Sequence, residues 1–184
     1  DRCARDGKLH ARPLAQGDVL LLGHPAHDLR LEILHPPRSA ASAPADPRWT
    51  GNNASLVVRL THKGHGLALI CGDAERLSLR HMLDQKLDRG LDLQADVLVL
   101  PHHGSDSSYL ADFYKAVQPR VAVAACGFEN RYGYPGKKVR AWFAGAGIPL
   151  LHTGRDGHIG LTWPHSGTQP DALRMEIQRP AKVP

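Results

Sequence analysis

The sequence predicts an α/β layered fold, on three observations. Strand-length apolar runs alternate with helix-period segments through the middle of the chain, period-two hairpins occupy both ends, and no apolar run approaches the roughly 20 residues of a bilayer-spanning helix. With 184 residues, 42% of them hydrophobic and 22% charged, the chain can bury one core, which excludes wholesale disorder and points to a single domain over 1–184.

Each element has its own signal. Residues 1–16 are polar and unpatterned. Apolar stretches 18–22 and 29–34 flank a Gly/Pro/His turn and read as a hairpin. Over 36–51, Pro36, Pro37, Pro44 and Pro47 among Ala and Ser sustain neither helix nor ladder, so an exposed loop is expected. Segments 55–60 and 67–71 form a second hairpin about a turn at 62–66. Leu77, Leu79, Met82, Leu83 and Leu87 fall on helical spacing within 74–87, with Gly90 as the stop. Residues 95–100 are apolar throughout, the pattern of a strand covered on both faces. A helix over 107–117, N-capped by Ser107 or Ser108 and ended by Pro119, precedes a buried strand at 121–126. A helix at 137–146 between Pro135 and Gly147, a strand at 148–151 and alternating strands at 158–163 and 172–178 complete the chain.

Twenty-three Lys and Arg against eighteen Asp and Glu give a net charge of +5, a weak preference for anionic partners such as nucleic acid, and twelve His add charge in mild acid. Cys3, Cys71 and Cys126 are odd in number and far apart, which suggests neither a disulfide framework nor a cysteine zinc site; Cys71 and Cys126 read as core. The chain opens with Asp and carries no signal-peptide pattern, so a fragment or processed product is expected.

Chemistry concentrates at strand ends. The run V-L-V-L-P-H-H-G-S over 97–105 delivers His102 and His103 and a small-residue turn at the C-terminal end of a buried strand, where ligands gather in open α/β sheets. Imidazole binds zinc, manganese and iron; the alternative is two surface histidines with Ser105 capping the next helix. Asp73 follows Gly72 at the end of the 67–71 strand, placed either to bridge two metal ions or to cap the following helix, and this strand and the 95–100 strand are expected to be neighbours. Asn130-Arg131-Tyr132-Gly133-Tyr134-Pro135-Gly136 follows another strand; Arg131 suits bidentate phosphate contact, while a plain Tyr-Pro turn explains the segment equally. Residues 153–157 read as a tight turn, and His24-x-x-His27-Asp28 as a solvated one. The sequence lacks an H-x-H-x-D-H cluster, a Walker loop, a G-x-S-x-G elbow and H-E-x-x-H.

One series of motifs occurs in order: Gly51-Asn52-Asn53-x-Ser55 and the strand after it, Cys71-Gly72-Asp73-Ala74-Glu75, Leu100-Pro101-His102-His103-Gly104-Ser105, Asn130-Arg131-Tyr132-Gly133-x-Pro135, and Asp156-Gly157. Over about residues 29–163 it resembles the C-terminal metallo-β-lactamase-like domain of the ComEC DNA-internalisation competence proteins. That resemblance implies the C-terminal part of an αββα sandwich, belonging to an inner-membrane channel that imports single-stranded DNA. It implies a nuclease of the other strand that uses divalent manganese or zinc, with DNA and the rest of the channel as partners and the periplasmic side favoured over the cytoplasmic. Asp73 then corresponds to the bridging carboxylate and His102 or His103 to the last histidine ligand. Ser105, the serine of the histidine-glycine-serine motif, joins the catalytic set, either binding phosphate or fixing the histidine turn. Asn130, Arg131, Tyr134 and Lys137 become the DNA contacts. Two departures stand out: Tyr134 replaces a histidine of the family wording and Gly136 commonly a second one, and the H-x-H-x-D-H segment would precede residue 1. A catalytically degenerate DNA-binding or channel-assembly module is the alternative implied.

Overall fold

The computed structural model describes residues 13–40, 46–166, 169–170 and 173–178. Seven strands form one mixed sheet in chain order: β1 (Val19–Leu22), β2 (Leu29–His35), β3 (Val57–His62), β4 (His65–Ile70), β5 (Val97–Val99), β6 (Val121–Ala124) and β7 (Leu150–His152). The first four pair antiparallel, β1–β2 and β3–β4 through short turns and β2–β3 through the long segment 36–56, with Leu31 opposite Leu60 and Leu60 opposite Ala68. From β4 to β7 the pairing is parallel, Leu69 matching Leu98 and Leu98 matching Ala122. Parallel neighbours need crossovers, and the helices supply them. These are α1 (Arg76–Arg89), α2 (Ala111–Val117) and α3 (Lys137–Gly145).

The three helices cover one sheet face. Leu79, Met82 and Leu83 of α1, Phe113, Tyr114 and Val117 of α2, and Val139 and Phe143 of α3 pack with Leu69, Leu98 and Ala122 in one core. Tyr114 centres it, with ring centroids 5.1 Å from Trp142 and 5.0 Å from Phe143. Full burial of each such ring contributes about 1.5–3 kcal/mol. On the opposite face Ala68, Val97, Val121, Val123 and Leu151 pack against Ile159, Leu161, Trp163 and Leu173. Ile159 and Leu161 belong to β8 (His158–Thr162), which pairs with β11 (Arg174–Gln178); β9 (His165–Ser166) and β10 (Gln169–Pro170) form a short ladder between them. The layered α/β arrangement expected from the sequence is the one observed.

Three local expectations need correction. Neither Ser107 nor Ser108 caps a long helix: residues Asp106–Ser108 form a 3-10 turn in which Ser105 Oγ accepts from Ser107 N at 3.3 Å, and α2 starts only at Ala111. The turn interrupts the helix because Leu110 is drawn extended into the core. Cys126 lies past the end of β6 and is only partly buried, whereas Cys71 is fully buried. Residues Thr153–Asp156 make a single helical turn, α4, rather than a tight turn. Buried Asp156 fixes it by accepting from His152 N at 2.8 Å and pairing with Arg155. Gly90 ends α1 as expected, at φ 68°. Of the expected loop at 36–51, residues 38–40 form a 3-10 turn and Trp49 is buried, while 41–45 lie outside the described residues, as do Cys3, residues 1–12 and Ala172.

Candidate functional site

Because β4 to β7 run parallel, their C-terminal ends share one edge, and the sequence-predicted residues collect there. Asp73 follows β4, His102 and His103 follow β5, the 125–136 loop follows β6, and His152 ends β7. The tips are laced together: His102 N donates to Gly72 O at 2.9 Å and Gly136 N to Gly104 O at 2.8 Å. Gly104 has φ 83°, and a Cβ there would lie 2.9 Å from the Pro135 Cβ, so this turn admits only glycine. His102 and His103 also adopt left-handed backbone, φ 48° and 56°. For L-residues with a Cβ this costs about 1–2 kcal/mol each, so the surrounding lacing must hold them there.

That backbone aims the imidazoles. His103 Nδ1 donates to Ala125 O at 2.8 Å, since a carbonyl only accepts, and its Nε2 faces Asp73 Oδ1 at 3.2 Å. Both side chains are nearly half exposed. His102 Nδ1 is buried without a hydrogen-bond partner, and at 3.6 Å from Glu75 Oε1 it is an ion-pair neighbour rather than a hydrogen bond. Glu75 in turn accepts from Asn52 Nδ2 at 3.2 Å. Glu75 occupies the N-cap position of α1 but makes no side-chain cap, so these acids are not consumed by the helix start. The 3.2 Å separation is close to the edge of about 3.3 Å between two ligands of a tetrahedral ion bonded at about 2.0 Å. Nitrogen and carboxylate donors with this spacing fit part of a zinc or manganese donor set. Among the described residues, however, no three His, Cys, Asp or Glu side chains converge closely enough to hold an ion alone.

The remaining candidates fall into two groups. Ser105 is buried, and its hydroxyl is engaged with Ser107 Oγ at 2.9 Å and Ser107 N, so it fixes the turn beneath the histidines. Asn130 likewise serves the loop, accepting from Tyr134 N at 2.8 Å and donating to Tyr134 O at 2.9 Å. Tyr134 itself stands beside the histidines, 6.3 Å from His103 at 22° and 6.0 Å from His102 at 60°. Arg131 is exposed, its guanidinium 4.7 Å above the Tyr132 ring. Lys137 is the exposed first residue of α3; the amides beside it, Lys138 N and Val139 N, already donate to Asp106 Oδ1 at 3.0 and 3.3 Å.

A cavity of about 450 Å³ opens between His102, His103, Cys126, Asn130, Tyr132 and Tyr134. A larger one, about 680 Å³, lies remote from it between β1, β2 and α1, lined by Asp18, Arg38 and His81. The sequence alone assigns no site role to Glu75, Asn52, Tyr132 or His152, and Cys126 reads as core. His152 could have been found, because it ends an expected strand at this same edge. Its Nδ1 accepts from Arg155 N at 3.0 Å, so Nε2 donates toward Tyr134 O at 3.2 Å, with Cys126 Sγ 3.3 Å away. Burial pushes the Cys126 thiol pKa up, away from nucleophile character.

No family model matches the chain. It is 30% identical over 158 residues to ComE operon protein 3 of Bacillus subtilis (strain 168), across 86% of this chain and 18% of that protein. It is 33% identical over 124 residues to Competence protein ComA of Neisseria gonorrhoeae, across 67% and 17%. It is 29% identical over 127 residues to Uncharacterized protein YcaI of Escherichia coli (strain K12), across 69% and 16%. The chain thus spans less than a fifth of the length of these curated relatives.

Proposed function

From the premise that the chain belongs to the ComEC-like competence proteins, we propose that its strand-end site hydrolyses phosphodiester bonds of DNA during uptake, degrading the strand that is not imported. The site then belongs to the C-terminal part of a metallo-β-lactamase-like domain. One observation carries the reading: the imidazole of His103, fixed through Nδ1 on Ala125 O, presents Nε2 to Asp73 at 3.2 Å on an open cavity. A divalent ion bound there, manganese or zinc, supplies positive charge to the phosphate oxygens and activates water. Asp73 and His103 would hold it; His102 Nδ1 is buried beside Glu75, 3.6 Å away, and does not complete the set. Arg131 and Lys137, both exposed on the approach, position the phosphate backbone. The reading requires ligands beyond these, supplied by a longer protein. Among the described residues no helix is long and apolar enough to cross a membrane, and the proposal sets this domain beside the membrane part of the channel, on the periplasmic side.

The test, made on the longer protein that supplies the remaining ligands, is elemental analysis after loading with manganese and zinc and gel filtration, together with cleavage of a labelled oligonucleotide. Retained metal and cleavage, both lost in Asp73→Asn and His103→Ala, are expected. Unchanged metal content and turnover in Asp73→Asn would remove the assignment. A second reading, a degenerate DNA-binding or channel-assembly module, is favoured by two observations: the donors among the described residues stop short of three, and Tyr134 stacks where a ligand is expected. It expects salt-dependent DNA binding indifferent to chelator.

A further inference from the structure

The loop after β6 exposes more ring surface than a folded chain needs to leave in water. Phe128 is 71% and Tyr132 61% exposed, the latter a large flat side chain at the mouth of the cavity. The rings there are ordered: Tyr132 and Tyr134 lie 5.4 Å apart at 18°, and Tyr134 and His103 6.3 Å apart at 22°, so three near-parallel rings run from solvent to the Asp73–His103 pair. Their backbone is held from several sides. Asn130 clamps both polar atoms of the Tyr134 backbone, His152 donates to Tyr134 O, and the Arg140 guanidinium donates to Gly133 O and Pro135 O. A platform fixed in advance loses little entropy when a flat ligand settles on it. Its charge leans toward an anion: Arg131 in the loop and Lys137 and Lys138 just after it are exposed, against Glu129 in the loop and half-exposed Asp73 at the inner end of the ring run. Arg131 already lies over the Tyr132 ring, a guanidinium plane that can turn its donors to phosphate when a base takes the ring face.

Resting on the reading that DNA is the ligand of this edge, we propose that Tyr132 and Tyr134, flanked by Arg131, form a stacking platform for an unpaired base, so that the substrate of the site is single-stranded DNA. A base of a duplex already spends its faces on its neighbours and must be unstacked before it can use the platform, whereas a single strand offers free faces. Stacking of bases on aromatic side chains tolerates any sequence, so the platform selects strandedness and not base identity.

The experiment is equilibrium binding by fluorescence anisotropy to this chain in chelator, which separates it from any cleavage. Three labelled probes are compared: an oligothymidine, an abasic strand of the same length, and a hairpin duplex. The oligothymidine binds about ten-fold more tightly than the abasic strand, and Tyr132→Ala and Tyr132→Leu remove that advantage while leaving the other two probes unchanged. Tyr132→Phe keeps it. Equal binding of oligothymidine and abasic strand, or equal loss on all three probes in Tyr132→Ala, overturns the platform and leaves the phosphodiesterase reading standing. Failure of every probe to bind overturns both.

Discussion

The two ends of the parallel strands use the same kinds of residue to opposite effect. At the N-terminal end Arg59 is 4% exposed and fully engaged, with Nη1 on Glu32 at 2.9 Å, Nη2 on Asp92 at 2.5 Å and Nε on Gln94 O at 2.8 Å. Asp96 beside it accepts from His65 Nε2 and Trp163 Nε1. At the C-terminal end Asp73 and His103 stand half exposed, His103 on the cavity wall, and His102 Nδ1 has no hydrogen-bond partner. Polar groups that satisfy one another within the fold contribute stability; those left half exposed on strained backbone are, on the function proposed above, arranged for a ligand outside the chain.

The comparison is broken most directly by exchanging the damage. Arg59→Ala removes a buried guanidinium that ties partly exposed Glu32, exposed Asp92 and the Gln94 carbonyl together, and costs about 1.5–3 kcal/mol, read as a lowered urea midpoint. Asp73→Asn, at an exposed site, shifts the same midpoint by less than about 1 kcal/mol, its effect appearing in metal content instead. If Asp73→Asn were the more destabilising of the two, the C-terminal edge would be structural and the division would fail.

The next effect in size concerns the packing that holds the site together. A Cβ at Gly136 would lie 2.2 Å from Asp106 Oδ1, which caps α3, and one at Gly154 would lie 2.2 Å from Phe128 N. Gly136→Ala and Gly154→Ala each cost about 1–3 kcal/mol in thermal unfolding. Gly127, in the same loop, has nothing within 4 Å of a Cβ, so Gly127→Ala is near neutral. A neutral Gly136→Ala would show that the loop yields easily and that the strand tips are not laced as described.

Much of this edge was legible before the fold. The apolar run ending in Pro101-His102-His103 and the Gly72-Asp73 strand end both predicted residues at neighbouring strand tips, and β4 and β5 do pair in parallel. What could not be read was how side chains turn after the strand. Nothing in the sequence distinguishes His102 from His103; both take left-handed backbone that histidine rarely adopts, and the distinction rests on the Ala125 carbonyl, which comes from another crossover and orients His103. Of the two roles open to Ser105, binding phosphate or fixing the turn, it takes the second, because short hydroxyl side chains bond their own turn first. Glu75, Asn52 and Tyr132 were in plain sight within quoted motifs, but their roles depend on tertiary contacts that no local pattern encodes.

A region away from both edges supplies an internal standard for pH. His35 is fully buried, donating from Nδ1 to Ser55 O at 3.0 Å with Nε2 unpartnered, and His81 stands 6.1 Å from it. Burial lowers the pKa of both; the Ser55 carbonyl opposes this at His35, and Asp84 opposes it at His81 while Arg48 and Arg89 reinforce it. Asp46 nearby is held down to about 2 by Arg48 and stays charged throughout. Since the folded pKa values lie below the unfolded ones, the unfolded state binds more protons in mild acid. Stability is therefore full above about pH 6.5 and is lost as pH falls toward the folded values, at most about 1.4 kcal/mol per pH unit for each site. The melting temperature should drop between pH 7 and pH 5, less so in His35→Phe; a flat profile would contradict the burial of these rings.

The smallest expected effect sharpens the comparison most, because it asks whether the C-terminal edge stores strain. At an ordinary position alanine is as good as glycine or better, since glycine has more backbone entropy to lose. At His102 and His103, with φ 48° and 56°, the order should reverse: His102→Gly and His103→Gly should each be about 1 kcal/mol more stable than the corresponding alanine variant. Both substitutions delete the imidazole, so the difference between them reports the backbone alone. Lys63, also left-handed at φ 50° but in the β3–β4 turn far from the cavity, gives the same reversal with no loss of metal, since its strain serves only a hairpin. Equal stability of the glycine and alanine variants at both histidines would mean that the turn relaxes once the rings are gone. The strain would then be imposed by the ring contacts to Ala125 and Asp73, and the preorganisation of the site would lie in its side chains and not in its backbone.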